Sequence, residues 1–167
     1  MSPICYVEYV RDRYQSAGAY EGTGFSEYQW SRFESSPWTP LRKPLSQCRV
    51  AILSSSGASL KDQPPFDPAG KNDLSFREIP KTARTGDVVI NHNFYDHGDA
   101  QRDLNCVLPL DRFQELADEG IIGELAPVHY TFMGRIFSRK GIAQTMAPDL
   151  VRRLQAQQVD LLFQIPT

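Results

Sequence analysis

A polar run over Asn91–Cys106 holds the densest group of chemically active side chains in the sequence, including two histidines, three aspartates, a tyrosine, an arginine and a cysteine. Three interpretations of this run remain open. It is a loop that caps strands and helices, since Asn and Asp are common turn residues. It is a substrate-binding or acid–base pocket, because histidine titrates near neutral pH. Or His92 and His97 hold a metal ion together with carboxylates, although the run contains no compact ligand signature.

Two predicted strands position this run. One is Asp87–His92, which leads directly into it, and the other is Arg49–Ser54, which is followed by the small-residue turn Ser54–Ser59. Ligands gather beyond the carboxyl ends of strands in parallel α/β folds, and such a turn can present main-chain N–H groups to an anion. We therefore expect four side chains of the run to face a common crevice with this turn: His92, Tyr95, Asp96 and Asp99.

The other predicted elements alternate between strand and helix. Ser75–Ile79 and Val159–Ile165 are typical of strands, whereas Leu110–Glu119 and the stretch from Pro148 to Gln157 have helical spacing. This alternation predicts an α/β fold with a mostly parallel sheet. We expect a three-layer arrangement, Rossmann-like or flavodoxin-like, that is truncated at its C-terminal end.

The chain is expected to divide into an aromatic-rich arm over residues 1–45 and an α/β domain over residues 46–167. The arm includes a predicted helix, Val7–Tyr14. Its aromatic side chains either pack on the domain or form a lid or partner surface.

Composition excludes several functional classes. With a net charge of −2 and an isoelectric point near 5.9, the chain has no electrostatic signature of a nucleic-acid-binding protein. The sequence also contains no apolar run of about 20 residues and no signal peptide, so we expect a cytoplasmic protein without a membrane partner. The cysteines, Cys5, Cys48 and Cys106, form no Cys-x-x-Cys pair, so we expect free thiols and neither a zinc knuckle nor a thioredoxin-type dithiol. We assign no metal or cofactor to this chain, although the metal interpretation of the polar run stays open.

Several segments resemble a known family when they are read in order: Ser55-Ser-Gly57, Gln63-Pro-Pro-Phe-Asp67, Asp73-Leu-Ser-Phe-Arg-Glu-Ile-Pro80, His92 with Tyr95-Asp96 and Asp99-Ala100, Arg102-Asp-Leu-Asn-Cys-Val-Leu-Pro-Leu-Asp-Arg112, Glu119-Gly-Ile-Ile-Gly123 and Tyr130-Thr-Phe-Met-Gly134. The series resembles the selenoprotein B subunits of the glycine, sarcosine, betaine and D-proline reductases. The resemblance covers residues 49–167, and the run from Asp99 to Met133 is its most specific part.

This resemblance implies a bacterial subunit of a selenol- or thiol-dependent oxidoreductase that cleaves a C–N bond of an amino acid or betaine-like substrate. A dithiol or thioredoxin-type reductant would supply the electrons, and a separate pyruvoyl-bearing subunit would activate the substrate. The family's selenocysteine or cysteine is expected immediately after Thr167, so the chain as given is expected to be inactive. An in-frame UGA codon read as a stop is one hypothesis for this ending, beside an artificial or a genuine terminus.

The resemblance also implies a substrate pocket made of the following residues: Ser55, Ser56, Gly57, Arg77, His92, Tyr95, Asp96, Asp99, Asp103 and Asn105. In this pocket Arg77 would bind a carboxylate in bidentate fashion. Cys106 is a candidate nucleophile within the chain. The alternatives are a non-catalytic α/β protein that binds a small molecule and a thiol enzyme that uses Cys106. A homo-oligomer is compatible with each of these functions.

Overall fold

The fold is described from a computed structural model, which places residues 34–35 and 39–167. All the elements below belong to the second of two units along the chain, Leu41–Thr167. The predicted helix Val7–Tyr14 lies outside the described residues.

The secondary structure of the second unit follows the predicted alternation closely but adds several short elements. The strands are β1 (Arg49–Ser54), β2 (Ala58–Leu60), β3 (Arg77–Pro80), β4 (Val88–Ile90), β5 (Glu124–Leu125), β6 (Val128–Thr131) and β7 (Leu161–Ile165). The α-helices are α1 (Gly98–Arg102), α2 (Leu110–Asp118), α3 (Arg139–Gly141) and α4 (Ala147–Ala156), with a π-helical segment, Ile142–Met146, before α4. Single 3-10 turns occupy Leu45–Gln47, Thr85–Asp87 and Leu104–Cys106.

The main sheet is built around β1, which is parallel to all three of its neighbours. β7 pairs with one edge of β1 over its whole length, while β5 and β6 share the other edge. Only β3 is antiparallel, and it pairs with β6. The apolar stretch Val50–Leu53 is buried, as expected for the central strand of a parallel sheet. The predicted α/β class with a mostly parallel sheet is therefore confirmed.

Two helices supply apolar side chains to this sheet. Phe113 and Leu116 of α2 pack in a core that contains Val50, whereas Leu150 of α4 packs against Leu53. Val50 and Leu53 point to opposite faces of β1, because side chains alternate along a strand. The two helices thus contact the sheet from opposite sides. The finer expectation of a Rossmann-like or flavodoxin-like fold stays a prediction.

The strand that leads into the polar run departs from expectation. β4 lies in a separate two-stranded sheet, where it is antiparallel to β2, rather than in the parallel sheet. The cause is a turn at Gly57, whose φ of 66° is left-handed and favours glycine. This turn redirects the chain after β1 into β2, a strand that the sequence did not reveal.

A buried histidine fills a break in the main sheet. β5 pairs with the start of β1 and β6 with its end, and between them the main-chain N–H of Ile52 donates to Nδ1 of His129 at 3.2 Å. His129 is fully buried, and no described residue forms a hydrogen bond with its Nε2. Burial, with a smaller effect of Lys81, lowers its pKa to about 4. The imidazole is therefore neutral, and its Nδ1 accepts the hydrogen bond that a main-chain carbonyl would accept in a continuous sheet.

None of the helices in the described ranges is long and apolar enough to cross a membrane.

Candidate functional site

Three segments meet at the carboxyl edge of the main sheet. They are the ends of β1 and β7 and the residues that follow β6. The N–H of Ser55 donates to the Ile165 carbonyl at 3.2 Å, and the N–H of Phe132 donates to the Ser54 carbonyl at 2.9 Å. The N–H of Thr167 then donates to Oγ of Ser55 at 2.9 Å. The chain beyond β7 is thereby held against the turn that follows β1.

The serine turn after β1 is internally bonded. Oγ of Ser54 is buried and lies 2.6 Å from the Val107 carbonyl, to which it donates, and it accepts the N–H of Ser56 at 3.3 Å. The N–H of Gly57 donates to the Phe132 carbonyl at 3.0 Å. The main-chain N–H groups of Ser55, Ser56 and Gly57 thus all bond within the protein, and the expected main-chain anion site is not formed. The side chains around the turn must supply any ligand contact.

His92 and Tyr95 pack beside this turn. Their ring centroids are 4.8 Å apart, and the Tyr95 hydroxyl donates to the Ser56 carbonyl at 3.2 Å. Nδ1 of His92 accepts the N–H of Phe94 at 3.0 Å, so the neutral imidazole carries its proton on Nε2. Burial is the largest cause that lowers the pKa of His92, followed by the charges of His97 and Arg135. His92 is therefore a neutral hydrogen-bond donor at pH 7.

Burial also raises the pKa of Tyr95 to about 12, so its hydroxyl stays protonated and keeps its bond to the serine turn.

Arg135 packs near His92, and the sequence did not single it out. Its guanidinium carbon lies 3.8 Å from the centroid of the Phe94 ring, and its Nη1 donates to the Ala69 carbonyl at 2.8 Å. Its charge also lowers the pKa of His92. The available signal was its position, because Arg135 directly follows the family-like segment Tyr130–Gly134. We call the set Ser55, Ser56, His92, Tyr95, Arg135 and Thr167 the carboxyl-edge cluster.

Gly57 contributes space rather than a ligand contact. A Cβ at this position would lie 3.0 Å from the Asn91 carbonyl oxygen and 3.2 Å from Cβ of His92. Together with the left-handed φ, this leaves glycine as the residue that lets His92 approach the serine turn.

Three of the predicted pocket residues form bonds to neighbouring parts of the chain. Nε of Arg77 donates to the Pro64 carbonyl at 2.7 Å, and its guanidinium carbon lies 3.9 Å from the Phe66 ring centroid. Oδ1 of Asp96 accepts the N–H of Gly98 at 2.9 Å, and Asp99 forms an exposed ion pair with Arg102. The side chain of Arg77, the first residue of β3, thus bonds to the proline-rich loop, and the two aspartates lie just before α1 and on its surface.

Asp103 and Asn105 line a separate cavity of about 530 Å³ beside β4. The main-chain N–H and Nδ2 of Asn105 both donate to Oδ1 of Asp103 at 2.9 Å. These bonds are the largest cause that lowers the pKa of Asp103. Cys106, the next residue along the chain, is exposed.

The histidines of the polar run are arranged as aromatic neighbours of Tyr95. The ring of His97 lies 5.5 Å from that of Tyr95, on which His92 also packs. Across residues 34–35 and 39–167, no three His, Cys, Asp or Glu side chains come together as a metal-binding group.

A comparison with known families identifies the family of this chain from its sequence. A sequence model of the family described as Glycine/sarcosine/betaine reductase selenoprotein B (GRDB) matches residues 20–167. The chain belongs to this family. The resemblance predicted from the motifs is therefore confirmed, and the GRDB match also includes part of the aromatic-rich arm.

Curated relatives of this GRDB-family chain are subunits of reductase complexes. The D-proline reductase subunit gamma of Acetoanaerobium sticklandii is 38% identical over 126 residues, which is 75% of this chain and 51% of that protein. The sarcosine reductase complex component B subunit beta of Peptoclostridium acidaminophilum is 28% identical over 141 residues, 75% of this chain and 30% of that protein. The glycine reductase complex component B subunit gamma of Symbiobacterium thermophilum is 31% identical over 134 residues, 75% of this chain and 30% of that protein.

The chain therefore spans about half the length of the D-proline reductase subunit and about a third of the other two. No solved structure matches it.

Proposed function

We propose that this chain acts within a reductase of the GRDB family and that the carboxyl-edge cluster is its substrate and redox site. The observation that carries the proposal is the bond from the N–H of Thr167 to Oγ of Ser55, at 2.9 Å. A residue joined to Thr167 in a longer chain would leave β7 beside the serine turn, close to His92 and Arg135. That residue is the selenocysteine or cysteine of the proposed reaction.

The cluster offers two donors for a substrate carboxylate. Arg135 carries a fixed positive charge whose planar fork suits a carboxylate, and the neutral His92 donates through Nε2. The Tyr95 hydroxyl already donates to the Ser56 carbonyl, so Tyr95 stabilises the turn and does not bind the ligand. Ser55 fixes the path of the chain beyond β7. In this proposal Arg135 and His92 orient the substrate, while Ser55 orients the nucleophile.

The proposed chemistry is the reductive cleavage of a C–N bond. A selenolate or thiolate attacks the carbon, forms a C–Se or C–S bond and displaces the amine, which takes up a proton. A second thiol then attacks the selenium or sulfur, and the carbon leaves with the bonding pair and takes up a proton. The resulting Se–S or S–S bond is reduced by an external dithiol, which supplies the two electrons. A pyruvoyl-bearing subunit that activates the amine is the expected partner.

A titration followed by NMR of the main-chain amides tests the site. D-proline, sarcosine, glycine and betaine are added separately to the 167-residue chain. We expect shifts at Ser55, Ser56, His92 and Gly134 with at least one of these ligands. Arg135→Gln should weaken binding about tenfold or more, because a charge-assisted bond to the carboxylate contributes about 1.5–3 kcal/mol.

Arg139→Gln is the matched control, since Arg139 is exposed on α3 and lies outside the cluster. His92→Gln should weaken binding less than Arg135→Gln, because it removes a neutral donor. Equal loss with Arg139→Gln, or ligand shifts confined to other parts of the chain, would contradict the assignment of this site.

A further inference from the structure

The cavity beside β4 has no role in the proposed reaction. Its volume is about 530 Å³, and one of its walls is the whole of β4, Val88–Ile90. The segment Ala100–Asn105 forms much of the remaining lining, which also includes Thr85, Gly86 and Asp111. It contains no residue of the carboxyl-edge cluster.

Among residues 34–35 and 39–167, β2 is the one strand that pairs with β4, and the other edge of β4 pairs with none. Two hydrogen bonds of 3.0 Å show which residue pairs of the β2–β4 ladder are hydrogen-bonded. The Asn91 N–H donates to the Gly57 carbonyl, and the Lys61 N–H donates to the Asp87 carbonyl. Bonded and non-bonded pairs alternate in an antiparallel ladder, so the main-chain groups of Val88 and Ile90 point away from β2. The Val88 N–H donates to Thr85. The Val88 carbonyl and both main-chain groups of Ile90 bond to no other described residue.

The cavity combines an apolar side with an acidic side. Four of its apolar lining residues belong to one core cluster: Val88, Ile90, Ala100 and Leu104. Its carboxylates are Asp103 and Asp111, which both accept hydrogen bonds from Asn105. The one cation in the lining, Arg102, is already paired with Asp99. The lining therefore favours a ligand that is apolar along one side and positively charged at one point.

We propose that this cavity binds an extended peptide segment of a partner protein, which adds to the free edge of β4 and places a basic side chain against Asp103 and Asp111. The strand edge favours a peptide over a small molecule, because its unpaired main-chain groups match those of another strand. Alternate side chains of the bound segment enter the apolar lining. The charge of the two aspartates selects lysine or arginine at the adjoining position.

The family indicates which protein supplies the bound segment, since the curated relatives are subunits of reductase complexes. A segment of another subunit of such a complex is the expected ligand. Because this step rests on the proposed function, the test uses a peptide probe that reports on the cavity alone.

The probe is the blocked heptapeptide acetyl-Thr-Lys-Val-Thr-Val-Lys-Thr-amide, titrated into the 167-residue chain and followed by amide NMR. We expect shifts at Val88–Ile90 and Gln101–Asn105 and slower hydrogen exchange at the Ile90 amide. Methylation of alternate main-chain nitrogens of the peptide should abolish binding, because it removes the edge hydrogen bonds without altering the protein. The double variant Asp103→Asn with Asp111→Asn should weaken binding about fivefold, because it removes two partly exposed ion pairs with the peptide.

Asp118→Asn on the same helix as Asp111 is the matched control and should leave binding unchanged. Arg135→Gln should also leave it unchanged, so that failure of the reductase site and failure of the peptide site are distinguishable. Three results would overturn the proposal: no shifts at millimolar peptide, binding that is insensitive to N-methylation, or binding that is insensitive to both aspartates. Concentration-dependent shifts of the same amides without peptide would show a second copy of the chain as the occupant and would equally overturn it.

Discussion

Nδ1 of the fully buried His129 accepts the main-chain N–H of Ile52, at a distance of 3.2 Å across the break between β5 and β6. The bond requires a neutral imidazole, because a protonated histidine has no acceptor. The position of β6, and with it the segment that meets the serine turn, therefore depends on the protonation state of one side chain.

This dependence predicts acid-labile folding. His129 has a pKa of about 4 in the folded chain, below the ordinary value of 6.5. The unfolded chain binds the proton more tightly, so this contribution to stability is complete above pH 6.5 and is lost as the pH falls towards 4. The free energy of unfolding, measured with urea, should be about 2–3 kcal/mol lower at pH 4.5 than at pH 7.5 because of this residue.

The control for this prediction is His129→Gln, which keeps an acceptor near Ile52 but does not titrate. We expect the variant to lose most of the difference between the two pH values. An unchanged difference would assign the acid lability to other groups, among which the mostly buried His92 also has a lowered pKa.

A second prediction concerns close packing at Gly123. A Cβ here would lie 2.6 Å from the main-chain carbon of Gln47 and 2.9 Å from the nitrogen of Cys48. Backbone atoms cannot yield as a flexible side chain can, so Gly123→Ala should destabilise the chain by about 2–3 kcal/mol. Gly86→Ala is the control, because nothing lies within 4 Å of its added Cβ. Chemical unfolding measures both, and equal stability of the two variants would disprove this packing.

A third prediction concerns the thiols. Cys106 is exposed, whereas Cys48 is fully buried and its sulfur lies 3.4 Å from the Pro44 carbonyl oxygen. Iodoacetamide should therefore modify Cys106 in the native chain and should modify Cys48 only after unfolding. Mass spectrometry of the digested protein measures both. Rapid modification of native Cys48 would contradict the fold around β1.

The sequence predicted the parallel part of the fold because its signals are local. Long apolar runs marked β1 and β7, and helical spacing marked α2 and α4. The short strands β2, β5 and β6 carried too few residues to show a period. The separate β2–β4 sheet depends on the turn at Gly57, and the residues around Gly57 did not predict its left-handed conformation.

The candidate site was predictable in part for a related reason. The motif order brought Ser55, His92 and Tyr95 to attention, and the structure places them together. Arg77, Asp96 and Asp99 form local bonds that their residue types alone did not reveal, and their place in a substrate pocket stays a prediction. Arg135 was missed because its place in the cluster depends on its contact with Phe94, a relationship that requires the folded chain.

The contact between Ser55 and the end of β7 makes one measurement decisive. Three chains are compared in a reductase assay with D-proline, which is one of the four ligands titrated above, a dithiol and the partner subunits of D-proline reductase. The first is the 167-residue chain, and the other two continue past Thr167 with the segment of a longer GRDB-family subunit, beginning with either cysteine or serine. We predict turnover only by the chain with cysteine. Equal turnover by the serine chain, or turnover by the 167-residue chain alone, would contradict the assignment of the nucleophile to the position beside Ser55.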